Sequence, residues 1–214
     1  MLGNFIIFGD SYSTYQGHLP EGYAAYYATT QLNGAHPVGI MDFEDTWWRR
    51  IIKATGANLV RNDSWSGSTI SYTGYHGDCS QTNSFIRRYR LLKDAGFFDN
   101  NKIDTAIVLG GTNDSWVPSP LGEMKFSDWD ESDLFSVRPA ICYFMYNLKK
   151  SLPNTRILFV ANCNIKEEII DCFNEAGRYY DVEVMELKDI TKEDGHPTSV
   201  GMAEICEQII NYLK

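Results

Sequence analysis

The sequence predicts an α/β protein, a three-layer α/β/α sandwich around a five-stranded parallel sheet. Strand-like runs at 5–8, 58–61, 105–109, 156–161 and 182–187 alternate with stretches of helical spacing, the pattern of βαβ units. The run Thr105-Ala106-Ile107-Val108-Leu109 is apolar nearly throughout, as a strand needs when helices cover both faces of its sheet. No repeat or low-complexity linker divides the 214 residues, a length suited to one well-buried domain, so a single domain over 1–214 is expected.

Each element has its own justification. The apolar run at 5–8 is broken by Gly9-Asp10-Ser11, which leaves a hydroxyl at the carboxyl end of a buried strand, where open α/β sheets keep their chemistry. Residues 12–44, with Pro20 and Pro37, show no clean period; a helix is expected at 21–30. The tyrosines there (Tyr12, Tyr15, Tyr23, Tyr26, Tyr27) either line a substrate mouth or pack under the loop. Thr46 caps a helix over 47–55 with Trp47, Ile51 and Ala54 on its apolar side, and Gly56 stops it. The strand at 58–61 leads into a turn-rich run, 62–69, and a polar loop to residue 83. Ser84 opens a helix over 85–95 carrying Phe85, Ile86, Tyr89 and Leu92 on one side. After the strand at 105–109 comes Gly110-Gly111-Thr112-Asn113-Asp114, then a loop over 115–130 with Trp116 and Trp129. Helices at 139–151, 166–179 and 198–213 enclose the last two strands, with Pro139 suited to a first turn. Right-handed crossovers make this a flavodoxin-like arrangement.

Composition excludes several classes. A net charge of -9 argues against a polyanionic partner, so no nucleic acid is expected. No apolar stretch approaches the roughly 20 residues that span a bilayer, so no membrane partner is expected either. Cys79, Cys142, Cys163, Cys172 and Cys206 are odd in number and form no C-x-x-C pair, which fits buried thiols in a reduced compartment. They also lack the spacing with His that would suggest zinc. Residues 1–4 lead straight into the first strand without a basic, apolar or cleavage region, which points to the cytoplasm.

In a parallel sheet the loops after strands one, two and three meet at one edge. Those loops carry Gly9-Asp10-Ser11, the run from Asn62 to Gly67, and Gly111-Thr112-Asn113-Asp114; Glu193-Asp194-Gly195-His196-Pro197 follows the last strand. Acyl transfer needs this set. A serine hydroxyl is a poor nucleophile until a base takes its proton, and histidine titrates in the right range. The tetrahedral intermediate needs preorganised donors, which the Gly67 and Ser11 N–H groups and the Asn113 side-chain amide can supply.

These four blocks resemble those of the SGNH hydrolases, the GDSL esterase and lipase family, and they run in the family's order across nearly the whole chain. The resemblance implies Ser11 as nucleophile, His196 as base, and Ser11, Gly67 and Asn113 as the oxyanion hole. Tyr12 stands where the family name has Leu, a change expected to affect only local packing. The family carries Asp three residues before its His. Here Glu193 holds that place and Asp194 lies one nearer, favoured because Gly195 lets the loop bend; Asp189 is a third candidate. A Ser-His dyad assisted by a backbone carbonyl is also open, because the acid mainly fixes the imidazole tautomer.

The expected function is a serine esterase working without metal or organic cofactor on short-chain acyl esters, acetyl preferred, of a small molecule or a carbohydrate. Trp65, Trp116 and Trp129 serve as sugar platforms or as core and lid residues. His18, His36 and His76 are expected in loops, His76 nearest the cleft rim. The alternatives are a flavodoxin-like protein that cradles a phosphate or flavin in the hydroxyl-rich loop at 11–17, and a non-catalytic carbohydrate-binding module on the same fold.

Overall fold

A computed structural model describes residues 2–32 and 39–214 of the chain; the expected loop positions His36 and Pro37 lie outside the described residues. The strands and helices, in order, are β1 (Asn4–Gly9), α1 (Trp47–Thr55), β2 (Asn58–Ser64), β3 (Thr73–Gly74), β4 (Gly77–Asp78), α2 (Phe85–Asp94), α3 (Phe97–Asn100), β5 (Thr105–Gly110), α4 (Thr112–Trp116), α5 (Val137–Ser151), β6 (Arg156–Ala161), α6 (Glu167–Tyr180), β7 (Glu183–Glu186), β8 (Lys192–Glu193), β9 (His196–Pro197) and α7 (Ser199–Leu213).

The central sheet is parallel, in the order β2-β1-β5-β6-β7. Side-chain alternation along its strands builds the layers. Ile6 and Phe8, Ala106 and Val108, and Ile157 and Phe159 face one core, which α2, α3, α5 and α6 cover. Phe5 and Ile7, Ile107 and Leu109, and Leu158 and Val160 face the other, closed by α1 and α7. Burying each of these larger side chains contributes about 1.5–3 kcal/mol. This double coverage is why β1, β5 and β6 read as continuous apolar runs. All strands of this sheet end on one edge, and the β1, β2 and β5 ends lie side by side there.

Four expectations need correction. Residues 21–30 run as turns and extended chain rather than a helix, with Ala28 bridging to Ile40 and Gly22 at φ +81, which breaks helical geometry. The second strand continues to Ser64, through residues expected to turn. Their polar side chains find partners inside: Asn62 Nδ2 donates to the Ser13 carbonyl at 2.8 Å and Ser64 Oγ to Asn62 Oδ1 at 2.6 Å. The stretch to residue 83 is not all loop, because β3 and β4 form a small hairpin there. Thr46 occupies the N-cap position of α1 without capping it, because its hydroxyl donates back to the Phe43 carbonyl at 3.0 Å.

The five cysteines are buried thiols, as expected. Among the described residues, no helix is long and apolar enough to cross a membrane.

Candidate active site

Ser11 stands where β1 stops. Asp10 is the N-cap of a one-turn 3-10 helix, Ser11–Ser13, and its carboxylate accepts the Tyr12 N–H at 3.1 Å, which turns the chain out of the sheet. Ser11 is 3% exposed, and its Oγ lies 3.0 Å from Nε2 of His196. The other ring nitrogen, Nδ1, lies 3.2 Å from the main-chain carbonyl oxygen of Asp194. A carbonyl oxygen only accepts, so this contact places the hydrogen on Nδ1 and leaves the Nε2 lone pair facing the Ser11 hydroxyl.

His196 arrives on a hairpin. Asp194 and Gly195 join β8 to β9 with φ of +48 and +77, the pattern of a two-residue I′ turn, for which Asp-Gly is a favoured pair. Glu193 sits on β8 directly across from His196 and is exposed. Phenols from elsewhere hold this hairpin. Tyr12 donates to the Gly195 carbonyl and accepts from Asn162 Nδ2 at 3.1 Å; Tyr27 donates to the Pro197 carbonyl at 2.9 Å. Lys192 is tied to Asn162 Oδ1 at 2.9 Å and the Cys163 carbonyl at 3.0 Å. Tyr26 lies flat on the imidazole, ring centroids 3.8 Å apart and planes 6° from parallel, and Trp116 meets it edge-on at 5.8 Å.

The oxyanion candidates meet beside the same strand ends. Gly67 has φ +75, a conformation only glycine adopts freely, in the turn after β2. Asn113, in the first turn of α4, is buried and donates from Nδ2 to the Ser68 carbonyl at 2.9 Å. Beside it, the Asp114 carboxylate accepts the Ile70 and Ser71 N–H groups at 2.8 and 3.0 Å, so α4 and the turn after Gly67 are tied together. Next to Gly67 opens a cleft of about 540 Å³ lined by Trp65, Tyr75, His76, Asp78 and Asn83.

Beneath the serine turn lies a buried charge cluster. Arg88, on α2, is fully buried and donates to the Gly9 carbonyl and Ser68 Oγ, each at 3.1 Å, and to Asp63 Oδ2 at 3.1 Å. One guanidinium thereby joins the ends of β1 and β2 to the turn beyond β2. Burial pushes the Asp10 carboxyl up to about 7, opposed in part by Arg88, and pushes the Asp114 carboxyl up as well. Burial, then the Asp194 and Glu193 charges, push the Tyr26 phenol up to about 12, so it stays neutral.

The family model for GDSL-like lipase/acylhydrolase matches residues 4–213. The chain belongs to the GDSL-like lipase/acylhydrolase family. Its class is therefore that of the carboxylic ester hydrolases. Among solved structures it is similar to a GDSL-like lipase from Bacteroides ovatus, at 34% identity over 100% of this chain and 98% of that one, TM-score 0.88. It is also similar to one from Bacteroides uniformis, at 38% identity over 99% of this chain and 95% of that one, TM-score 0.88. An acetyl xylan esterase from Butyrivibrio proteoclasticus shares the fold at 19% identity, with 99% of this chain matching 63% of that one and a TM-score of 0.64. No curated protein matches.

In this GDSL-like chain Tyr12, at the Leu position of the family name, does more than pack locally, since its phenol reaches the loop that carries His196. Sequence reasoning missed Arg88, although the signal was present: it lies on the stripe of Phe85, Tyr89 and Leu92, where a charge requires a buried partner. It also missed the hairpin announced by Asp194-Gly195. Asn162 and the specific roles of Tyr26 and Tyr27 carry no local signal, because their partners lie far along the chain. The tryptophans divide. Trp116 borders the imidazole, Trp65 lies 4.4 Å from the Tyr23 ring and lines the cleft, and Trp129 packs on Tyr143 and Tyr146 at 5.5 and 5.4 Å. His76 also lines the cleft, while His18 stacks on Phe43 at 3.8 Å.

Proposed function

We propose that the chain is a serine esterase for short-chain acyl esters, acetyl foremost, with Ser11 as nucleophile and His196 as general base. The observation that carries this reading is the 3.0 Å contact between Ser11 Oγ and His196 Nε2, with Nδ1 held on the Asp194 carbonyl. Ser11 Oγ attacks the ester carbonyl carbon while its proton passes to Nε2. The carbonyl oxygen becomes an oxyanion held by the Ser11 and Gly67 N–H groups and Asn113 Nδ2. Collapse breaks the bond to the alcohol oxygen, which leaves with the proton from Nε2. Water then gives a proton to Nε2 and attacks the acyl-serine, and Ser11 recovers its proton as the acid departs. The Asp194 carbonyl steadies the imidazolium through Nδ1–H in both halves, the work an acidic side chain does in a triad.

A carbohydrate is the favoured alcohol. The cleft beside Gly67 joins the Trp65 and Tyr75 rings to Asp78 and Asn83, and sugars present apolar faces with hydroxyl edges to such walls. The solved acetyl xylan esterase of the same fold is consistent with this substrate class. The test is hydrolysis of p-nitrophenyl esters from acetate to decanoate alongside acetylated sugars. The expected result is highest kcat/KM on acetyl esters, removal of acetate from the sugars, and loss of both activities in Ser11→Ala and His196→Ala. Equal turnover in either folded variant overturns the assignment, and a preference for long acyl chains overturns the substrate class.

A further inference from the structure

Asn113 has a neighbour that neither the esterase motifs nor the mechanism above employs. Tyr75, at the tip of the β3–β4 hairpin, is half exposed, yet its hydroxyl donates to Asn113 Oδ1 at 3.0 Å. Its ring also stands 3.8 Å from the point a Cβ on Gly67 would occupy. One side chain thus contacts Asn113 directly and borders Gly67, the two donors assigned from outside the serine turn.

We propose that Tyr75 is a positioning residue for the oxyanion hole, acting through Asn113; this rests on the reading of Asn113 as an oxyanion donor. A side-chain amide has two N–H groups and one acceptor oxygen. One N–H is committed to the Ser68 carbonyl at 2.9 Å, and the oxygen is committed to Tyr75. With both anchored, the amide cannot rotate, and the second N–H is the one left for substrate. The phenol also draws electron density onto Oδ1, which makes that N–H a stronger donor to developing negative charge. The base of the hairpin is fixed to the same frame: Thr73 Oγ1 donates to the Phe135 carbonyl at 2.8 Å, and Ser119 Oγ to the Thr73 carbonyl at 3.1 Å. The phenol is therefore delivered by a braced element.

The hydrogen bond strengthens most as charge builds, so its loss lowers transition-state stabilisation without disturbing the fold. The experiment is a double-mutant cycle on p-nitrophenyl acetate hydrolysis with Tyr75→Phe and Asn113→Ala, and with Asn113→Ser in its place should the alanine variant not fold. Thermal unfolding and inhibition by a boronic acid that forms a tetrahedral serine adduct are measured on the same proteins. Tyr75→Phe is expected to lower kcat/KM about tenfold, to weaken the boronate by a similar factor, and to leave the melting temperature within about 2 °C. Asn113→Ala alone is expected to cost about 100-fold, and adding Tyr75→Phe to it less than a further twofold. Wild-type kcat/KM in Tyr75→Phe, or an equal loss with and without Asn113, overturns the proposal while leaving Asn113 as donor. Wild-type kcat/KM in folded Asn113→Ala removes the donor reading itself, and the role of Tyr75 with it.

Discussion

Ser11 and His196 touch, yet the molecule holds them by opposite means. The serine turn rests on a floor: β1 is an inner strand of the sheet, and Arg88 joins the Gly9 carbonyl, Ser68 and Asp63 beneath its end, all out of contact with water. The histidine hangs from a hairpin with an exposed turn, steadied by Tyr12, Tyr27 and the face of Tyr26. The nucleophile is thus placed by the forces that make the fold, and the base by contacts the fold can lose and survive. Damage to the floor should cost stability and activity together; damage to the hairpin's supports should cost mainly activity.

The largest stability effect should come from Arg88→Met, which takes the fully buried partner from the Asp63 carboxylate, leaving it the half-buried Arg61, and removes one donor each from the Gly9 carbonyl and Ser68 Oγ. A loss of about 3–5 kcal/mol in urea unfolding is expected. A loss under about 1 kcal/mol would show that the charge cluster is no floor.

Asp10 sharpens the same point through pH. Its folded-state carboxyl holds the proton up to about 7, whereas an unfolded chain releases it near 3.8. Between those values the folded state binds more protons, so this group lowers stability as pH rises from about 4 to about 7. Asp10→Asn keeps an acceptor for the Tyr12 N–H and removes the titration. It should be more stable than wild type at pH 8, by up to about 4 kcal/mol, and similar to it near pH 4. A constant difference across that range would contradict the buried-carboxyl account.

Tyr12→Phe tests the other side. The ring stays, but the Gly195 carbonyl and Asn162 lose the phenol, at a cost of about 1–3 kcal/mol in stability and roughly tenfold or more in kcat/KM as the imidazole loses its register. If its stability loss equals that of Arg88→Met, the contrast between floor and hairpin fails. The smallest effect belongs to Glu193→Gln: an exposed carboxylate whose removal should change kcat/KM less than about twofold.

The contrast also explains what was legible in the sequence. The serine turn and the Asn113 segment follow strands whose apolar runs are unmistakable, and the glycine turn follows the shorter Leu59-Val60 run, so their common edge could be read from chain order. The extension of β2 through Asn62, Asp63 and Ser64 could not, since polar residues in a strand are acceptable only when partners such as Ser13 and Arg88 meet them in space. The helix expected at 21–30 failed for a related reason: tertiary contacts of Tyr26 and Tyr27 with the histidine hairpin outweigh local helical preference. For the orienting partner of His196 the sequence left carboxylates and a backbone carbonyl both open; the main-chain oxygen of Asp194 lies 3.2 Å from Nδ1, and a choice between them needs main-chain geometry, which side-chain identity does not encode.

The central claim, that His196 activates Ser11 for acylation, is most directly tested by intact-mass spectrometry after reaction with a fluorophosphonate. The account predicts one adduct per chain, mapping to Ser11, absent in Ser11→Ala and formed at least about 1000-fold more slowly in His196→Ala. An adduct on another residue, or a labelling rate indifferent to His196, would contradict it.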